Sequence, residues 1–271
     1  MKKIILLFCI FTIIGCKENK SEERIPVEPD NGIGDGAGPP PALSFSENIE
    51  EAHNKPAFRN HEAVSFDIIL KFGGSERLNA KISMTTNSTG VRVDKVNGTS
   101  LIYDGEKTLI TPDTAKTDGA RFDIFTWQYF FAMPFKLTDP GTVWDKEKTR
   151  KLDSLQYNTA KLSFESGTGD SPDDWYIIYQ DPETERLKAA AYIVTFSKEK
   201  TKAEENPHAI VYSDYIMVED VAFATNWSFY SWSEEDGLDQ KLGEAEISNI
   251  TFFKPESGYF QAPENSKPIN K

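Results

Sequence analysis

The chain has 271 residues, 30 of them basic and 43 acidic, which gives a net charge of −13 and an isoelectric point near 4.8. So acidic a surface argues against nucleic acid and anionic lipid as partners, because both would be repelled. The two cysteines, Cys9 and Cys16, both lie near the start, so the rest of the chain has no disulfide, thiolate metal site or cysteine nucleophile, and its stability rests on a core that 18 Phe make rich in rings.

Lys2 and Lys3 precede the run Ile4 to Ile14, apolar except for Thr12, and Gly15 is the small residue before Cys16. This is the order of a secretory signal peptide, and Ile13-Ile14-Gly15-Cys16 resembles a bacterial lipobox. As a helix the apolar run reaches about 17 Å against roughly 30 Å of bilayer hydrocarbon, too short to span. Residues 1–15 are expected to be removed and Cys16 to carry lipid on its amine and sulfur, anchoring the protein to a membrane. Losing Lys2 and Lys3 takes the net charge to −15.

Residues 16–44 are rich in proline, glycine and acid and carry almost no periodic apolar residues, which is the composition of a flexible linker. Lys17-Glu18, with Glu22 and Glu23 nearby, loosely resembles the acidic signal for surface export in Bacteroidota. A solvated linker explains the same charges, so both the cell surface and the periplasmic side of the outer membrane stand as locations.

A domain is expected over residues 45–262, followed by a tail, 263–271. It opens on a short helix from about Ser46 to His53, with Ser46 as cap. From Ser65 to Phe72, residues Phe66, Ile68, Leu70 and Phe72 alternate with polar neighbours, as in a strand with one buried face. Val91 and Val93 alternate with Arg92 and Asp94, and Asn97-Gly98 and Asp104-Gly105 mark tight hairpin turns. Further strands are expected at Leu162 to Phe164, Trp175 to Gln180, Ala189 to Phe196, Ala209 to Val218, Val221 to Trp232 and Ile247 to Phe253, with Asp181-Pro182-Glu183-Thr184 as a turn. The pattern predicts a mainly β protein of roughly ten strands and a few helices, its antiparallel sheet too long to stay flat and so curled into an open half-barrel. Several late strands are apolar on both faces and need a second cover.

One segment interrupts the strands. In Ala120 to Pro134, Phe122, Phe125 and Tyr129 share one helical face, while Trp127, Phe130 and Phe131 share another. A helix apolar nearly all round is buried, here across the concave face of the sheet, and serves either as plain core or as the lid of an apolar cavity. These six aromatics are the candidate ligand-binding residues.

The strings Tyr129-Phe130-Phe131-Ala132-Met133-Pro134-Phe135-Lys136-Leu137, Asp139-Pro140-Gly141 and Gly169-Asp170-Ser171-Pro172-Asp173-Asp174-Trp175-Tyr176 look like an uncharacterised family of Bacteroidota lipoproteins. The order of a short helix, a meander, a helical lid and more strands is similar to the lipoprotein-carrier superfamily of LolA and LppX. That resemblance implies an open half-barrel whose concave face, closed by helices, holds acyl chains or other apolar ligands. A lipid at Cys16 disfavours a free shuttle and favours a tethered receptor.

Little points to catalysis. No G-x-S-x-G elbow, P-loop or dinucleotide fingerprint occurs, and no cofactor is implied. His53, His61 and His208 are too scattered for a spaced metal motif, although His53 and His61 meet if the helix packs at the first strand. Asp170, Asp173 and Asp174 form an acidic knot without the alternation of a calcium loop, which reads as a solvated turn. Asp113-Thr114-Ala115 and Asp153-Ser154-Leu155 resemble O-glycosylation sequons. The sequence thus indicates a non-enzymatic envelope lipoprotein that binds an apolar ligand. The alternatives are a scaffold docking another envelope protein, with Tyr230 and Trp232 as an anchor patch, and a glycan or lipid hydrolase.

Overall fold

The computed structural model describes residues 42–196 and 198–270. Cys16, its lipobox and nearly all of the expected linker lie outside the described residues. The first helix, α1 (Phe45–Ala52), begins from a different cap than expected. Glu47 N–H donates to Ser44 Oγ at 3.4 Å, and Ser44 N–H donates to the Glu47 carboxylate at 2.8 Å. The Ser44-x-x-Glu47 spacing permits this reciprocal capping, whereas Ser46 already lies inside the first turn. Replacing Ser44 with alanine is expected to cost about 1 kcal/mol, seen as a lower urea midpoint at unchanged slope.

A second, unexpected helix, α2 (Lys55–Asn60), leads into β1 (Ala63–Phe72), β2 (Ser75–Thr85), β3 (Val91–Lys95), β4 (Ser100–Tyr103) and β5 (Thr108–Thr111). The helix α3 (Ala120–Ala132) continues as a 3-10 turn, Met133–Phe135, that takes in Pro134. Then come β6 (Thr142–Trp144), β7 (Lys148–Lys151), β8 (Gln156–Phe164), β9 (Tyr176–Gln180), β10 (Leu187–Tyr192), α4 (Lys200–Ala203), β11 (His208–Val218), β12 (Val221–Ser233), β13 (Gly237–Phe253) and β14 (Lys267–Pro268). The expected count of about ten strands rises to fourteen among the described residues, chiefly through short strands at the edges.

All fourteen join one antiparallel sheet in the order β14-β5-β4-β3-β2-β1-β13-β12-β11-β10-β9-β8-β6, with β7 beside β6 on β8. Two meanders meet where β13 returns to pair with β1, from Ala63 opposite Phe253 to Phe72 opposite Gly243. The two ends of this order do not pair with each other, so the sheet is the open half-barrel that the sequence led us to expect. Residues 263–271, expected as a tail, supply β14, and Ile269 beyond it is buried and donates its N–H to Thr108 O at 2.8 Å.

Side-chain alternation builds two cores. The concave face collects Phe66, Ile68, Leu70, Ile82, Met84, Ile178, Ile210, Phe223 and Phe229, and α3 lies against it. Phe66 and Phe131 stack at 3.9 Å, Phe131 and Phe223 at 5.0 Å, and Trp127 meets Phe229 edge-on at 6.1 Å, so rings fill the space between helix and central strands. The second face of the late strands has a separate cover, formed by Leu152 and Tyr157 around the β7–β8 turn and by Ala203 of α4, packed on Ile177, Tyr179, Ala191 and Trp232. Trp232, proposed for an exposed anchor patch, is only 6% exposed and donates its indole N–H to Tyr179 Oη at 2.9 Å. Gly237 turns β12 into β13 at φ +76°, where a side chain would strike the Leu152 carbonyl.

His53 ends α1 fully buried. Its Nδ1 lies 3.0 Å from Ala222 O, and Leu187 N–H donates to its Nε2 at 3.0 Å, an arrangement that fits the neutral ring with the proton on Nδ1. Burial pushes its pKa down to about 4. His61 instead stacks on Phe252 at 3.8 Å, so each histidine has its own structural setting. No helix among the described residues is long and apolar enough to cross a membrane.

Candidate functional site

The helix α3 carries aromatic side chains at spacings that divide them between two faces, and both are used. One polar group fixes its first turn. Asp123, 1% exposed, accepts from Arg77 at 2.8 Å, from Lys95 at 2.7 Å and from the Trp127 indole at 3.2 Å. Near the other end Tyr212 Oη donates to Phe130 O at 3.0 Å. Held in this way, α3 turns Trp127 and Phe131 into the concave core.

The opposite face of α3 borders a cavity of about 960 Å³. Phe122, Phe125 and Tyr129 line it, together with Phe130. One wall comes from Tyr103 of β4, Thr108 of β5 and Ile269 after β14. The other comes from Phe164 of β8, Tyr176 of β9 and Tyr192 of β10, extended by Val194 and Phe196. The cavity thus draws on strands near both edges of the open sheet, which are far apart in the chain. Of the six aromatics singled out in the sequence, Trp127 and Phe131 are not among its lining residues.

Tyrosines give the apolar lining a polar component. The rings of Tyr129 and Tyr176 lie 5.5 Å apart and those of Tyr176 and Tyr192 6.2 Å apart, and among the described residues their hydroxyls have no hydrogen-bond partner. Burial raises the pKa of all three, so they are neutral hydroxyls at physiological pH.

Charged lining groups are mostly committed to one another. Arg121 Nε donates to Asp170 at 3.1 Å while its guanidinium lies over Phe125 at 5.1 Å. Lys136 donates to Asp139 at 2.7 Å. Burial opposes ionisation of Asp139, but Lys136 and Lys55 together hold its pKa below the usual carboxylate range. Asp174 accepts from Thr195 N–H at 2.8 Å and Thr195 Oγ1 at 2.7 Å, and burial, reinforced by Asp173 and Asp170, raises its pKa. The acidic knot is therefore divided: Asp170 and Asp174 lie at the cavity, and Asp173 is exposed. No group of three potential ligands is placed to hold a metal ion among the described residues. None of the three histidines lines the cavity. Tyr103, Tyr176 and Tyr192 are site residues that local sequence pattern did not single out, because only strand pairing brings them to α3.

A model of a family of unknown function (DUF6503) matches residues 80–242. No curated protein matches the chain. Among solved structures the chain is similar to a LolA superfamily protein from Nitrosomonas europaea, at 9% identity and a TM-score of 0.53, over 82% of this chain and 99% of that one. A DUF1329 family protein from Desulfovibrio piger is similar at 10% identity and a TM-score of 0.49, over 81% of this chain and 98% of that one. At such low identity the likeness to the first extends to the fold, a LolA-like open half-barrel.

Proposed function

We propose a function on the premise that the chain belongs to the family of unknown function DUF6503, whose description supplies no activity, so that the site must. The protein is a non-enzymatic envelope lipoprotein, anchored to the outer membrane by lipid on Cys16, that receives an apolar ligand such as an acyl chain at the open side of its half-barrel. The observation that carries this reading is the cavity of about 960 Å³, lined by Phe122, Phe125, Phe130, Phe164, Val194 and Phe196. Ligand pockets span about 300–1,000 Å³ with mostly apolar walls and few polar groups, and this one lies near the upper end. Three of the four lining carboxylates, Asp139, Asp170 and Asp174, are engaged in ion pairs or hydrogen bonds and no histidine stands in the wall, which favours binding over hydrolysis.

Native mass spectrometry of the chain carrying Cys16→Ser, so that acyl mass cannot come from the anchor, is expected to show a retained lipid after exposure to an envelope lipid extract. Phe122→Asp places a charge in the lining at a half-buried position and is expected to lower that retention at least tenfold while leaving the circular dichroism unchanged. Lipid that never copurifies, or retention indifferent to Phe122→Asp, would count against the cavity as the binding site.

A further inference from the structure

Three tyrosines outside the cavity lining give their hydroxyl protons to backbone carbonyls. Tyr212 Oη donates to Phe130 O at 3.0 Å, Tyr179 Oη to Lys151 O at 3.3 Å, and Tyr215 Oη to Leu187 O. In the lining, Tyr103 Oη donates to Gly105 O at 3.0 Å in the same way. Tyr129, Tyr176 and Tyr192 depart from this pattern. Their hydroxyls have no partner among the described residues, although Tyr176 and Tyr192 are each only 7% exposed.

These three oxygens are also within reach of a guest. The sealed side-chain polar atoms that lack a partner among the described residues are Ser88 Oγ, Gln128 Oε1 and Ser266 Oγ, and no tyrosine oxygen is among them. Solvent therefore touches each of the three hydroxyls. Because their residues pack on the concave core and line the cavity, the space they open into is the cavity itself. A ligand that displaces this solvent must supply acceptors for the phenol protons or leave their lost hydration uncompensated.

The surrounding charge selects the kind of acceptor. Asp139 and Asp174 lie close enough to Tyr129, and Asp174 to Tyr176, to oppose ionisation of both phenols, and no cation offsets them there. Arg121 and Lys136 in the lining are matched by Asp170 and Asp139. Lys107 has no ion pair among the described residues, but it stands exposed in the β4–β5 turn rather than on the strands that carry Tyr176 and Tyr192. Donors set beside carboxylates favour an uncharged acceptor over a carboxylate or phosphate.

We infer that Tyr129, Tyr176 and Tyr192 form the polar subsite of the cavity, and that it takes the uncharged carbonyl oxygen of an acyl group. Such an oxygen has two lone pairs and can accept from two phenols at once, the role that backbone carbonyls fill for Tyr212, Tyr179 and Tyr215. This rests on the proposed binding role and adds to it the residues that recognise the polar end of the ligand.

The test uses the delipidated full chain carrying Cys16→Ser and reads displacement of the apolar dye N-phenyl-1-naphthylamine by three probes. These are methyl laurate, laurate at about pH 8, where its carboxyl is ionised, and tetradecane, which matches methyl laurate in backbone length but has no acceptor. Laurate is expected to bind at least about tenfold more weakly than methyl laurate. In Tyr176→Phe/Tyr192→Phe the ratio of methyl laurate to tetradecane affinity is expected to fall about tenfold, because the rings remain and only the donors are lost. Thermal melting should leave this variant at or above the parent, since neither hydroxyl bonds to the protein. A ratio that does not fall, or laurate bound at least as tightly as methyl laurate, would overturn carbonyl recognition while the apolar-ligand role survives. Failure of all three probes to bind would overturn both.

Discussion

Asp123→Ala is expected to lower stability by about 3 kcal/mol, measured by urea unfolding, and to weaken ligand retention with it. The carboxylate is 1% exposed in the first turn of α3, where the positive end of the helix favours an anion, and it accepts from Arg77, Lys95 and Trp127. Without it two cations face each other with no counter-charge and a buried indole N–H loses its acceptor. Breaking a buried ion pair costs about 3–5 kcal/mol. The lower end applies because the Arg77 side chain is 41% exposed and can rehydrate. Asp123→Asn keeps an acceptor for Trp127 and is expected to lose about half as much. If Asp123→Ala unfolds at the same urea concentration as the parent, α3 is held by its aromatic contacts and the Tyr212 hydrogen bond without help from Asp123.

Acid will expose a second weak point. His53 is neutral and buried with a folded pKa of about 4, against about 6.5 in an unfolded chain. Because the unfolded state binds the proton more readily, the contribution of this residue is complete above pH 6.5 and drains away as the pH falls to 4. A difference of that size is worth about 3 kcal/mol. Carboxylates also titrate in the lower part of this window, so the comparison needs His53→Ala. At pH 7 that substitution leaves Ala222 O and Leu187 N–H without a side-chain partner and opens a cavity, which together cost about 3–5 kcal/mol. At pH 4 the gap between parent and variant is expected to shrink by about 3 kcal/mol. A gap that does not change between pH 7 and pH 4 would mean that His53 does not titrate on unfolding in this window.

The parts of the fold legible in the sequence are those whose signal is local. The Asn97-Gly98 and Asp104-Gly105 pairs sit in the β3–β4 and β4–β5 turns, and the alternation of Phe66, Ile68 and Leu70 forms the buried face of β1. α3 was equally plain because its aromatics recur at helical spacing. The first half of β13 was missed for the opposite reason: Asp239, Gln240 and Lys241 are exposed, and only pairing with β12 makes that stretch a strand. The short β6, β7 and β14 similarly owe their existence to neighbours distant in sequence. β2 is different, because Leu78, Ala80, Ile82 and Met84 do alternate with polar residues, yet it was not among the expected strands.

The same division holds for the cavity. Phe122, Phe125, Tyr129 and Phe130 come from one helix and could be grouped by periodicity. Tyr103, Tyr176 and Tyr192 reach them only through the curl of the sheet.

An unclosed sheet has two rims, and every rim is a template on which another chain could add a strand. Here one rim is a two-residue strand, Lys267–Pro268, whose proline has no N–H to offer a newcomer. The other is divided between the three residues of β6 and the four of β7, where Lys148 and Lys151 are exposed. Short, interrupted rims bearing lysine and proline discourage copies of the protein from stacking edge to edge into fibres. The half-barrel can therefore remain open without becoming a seed for its own polymerisation.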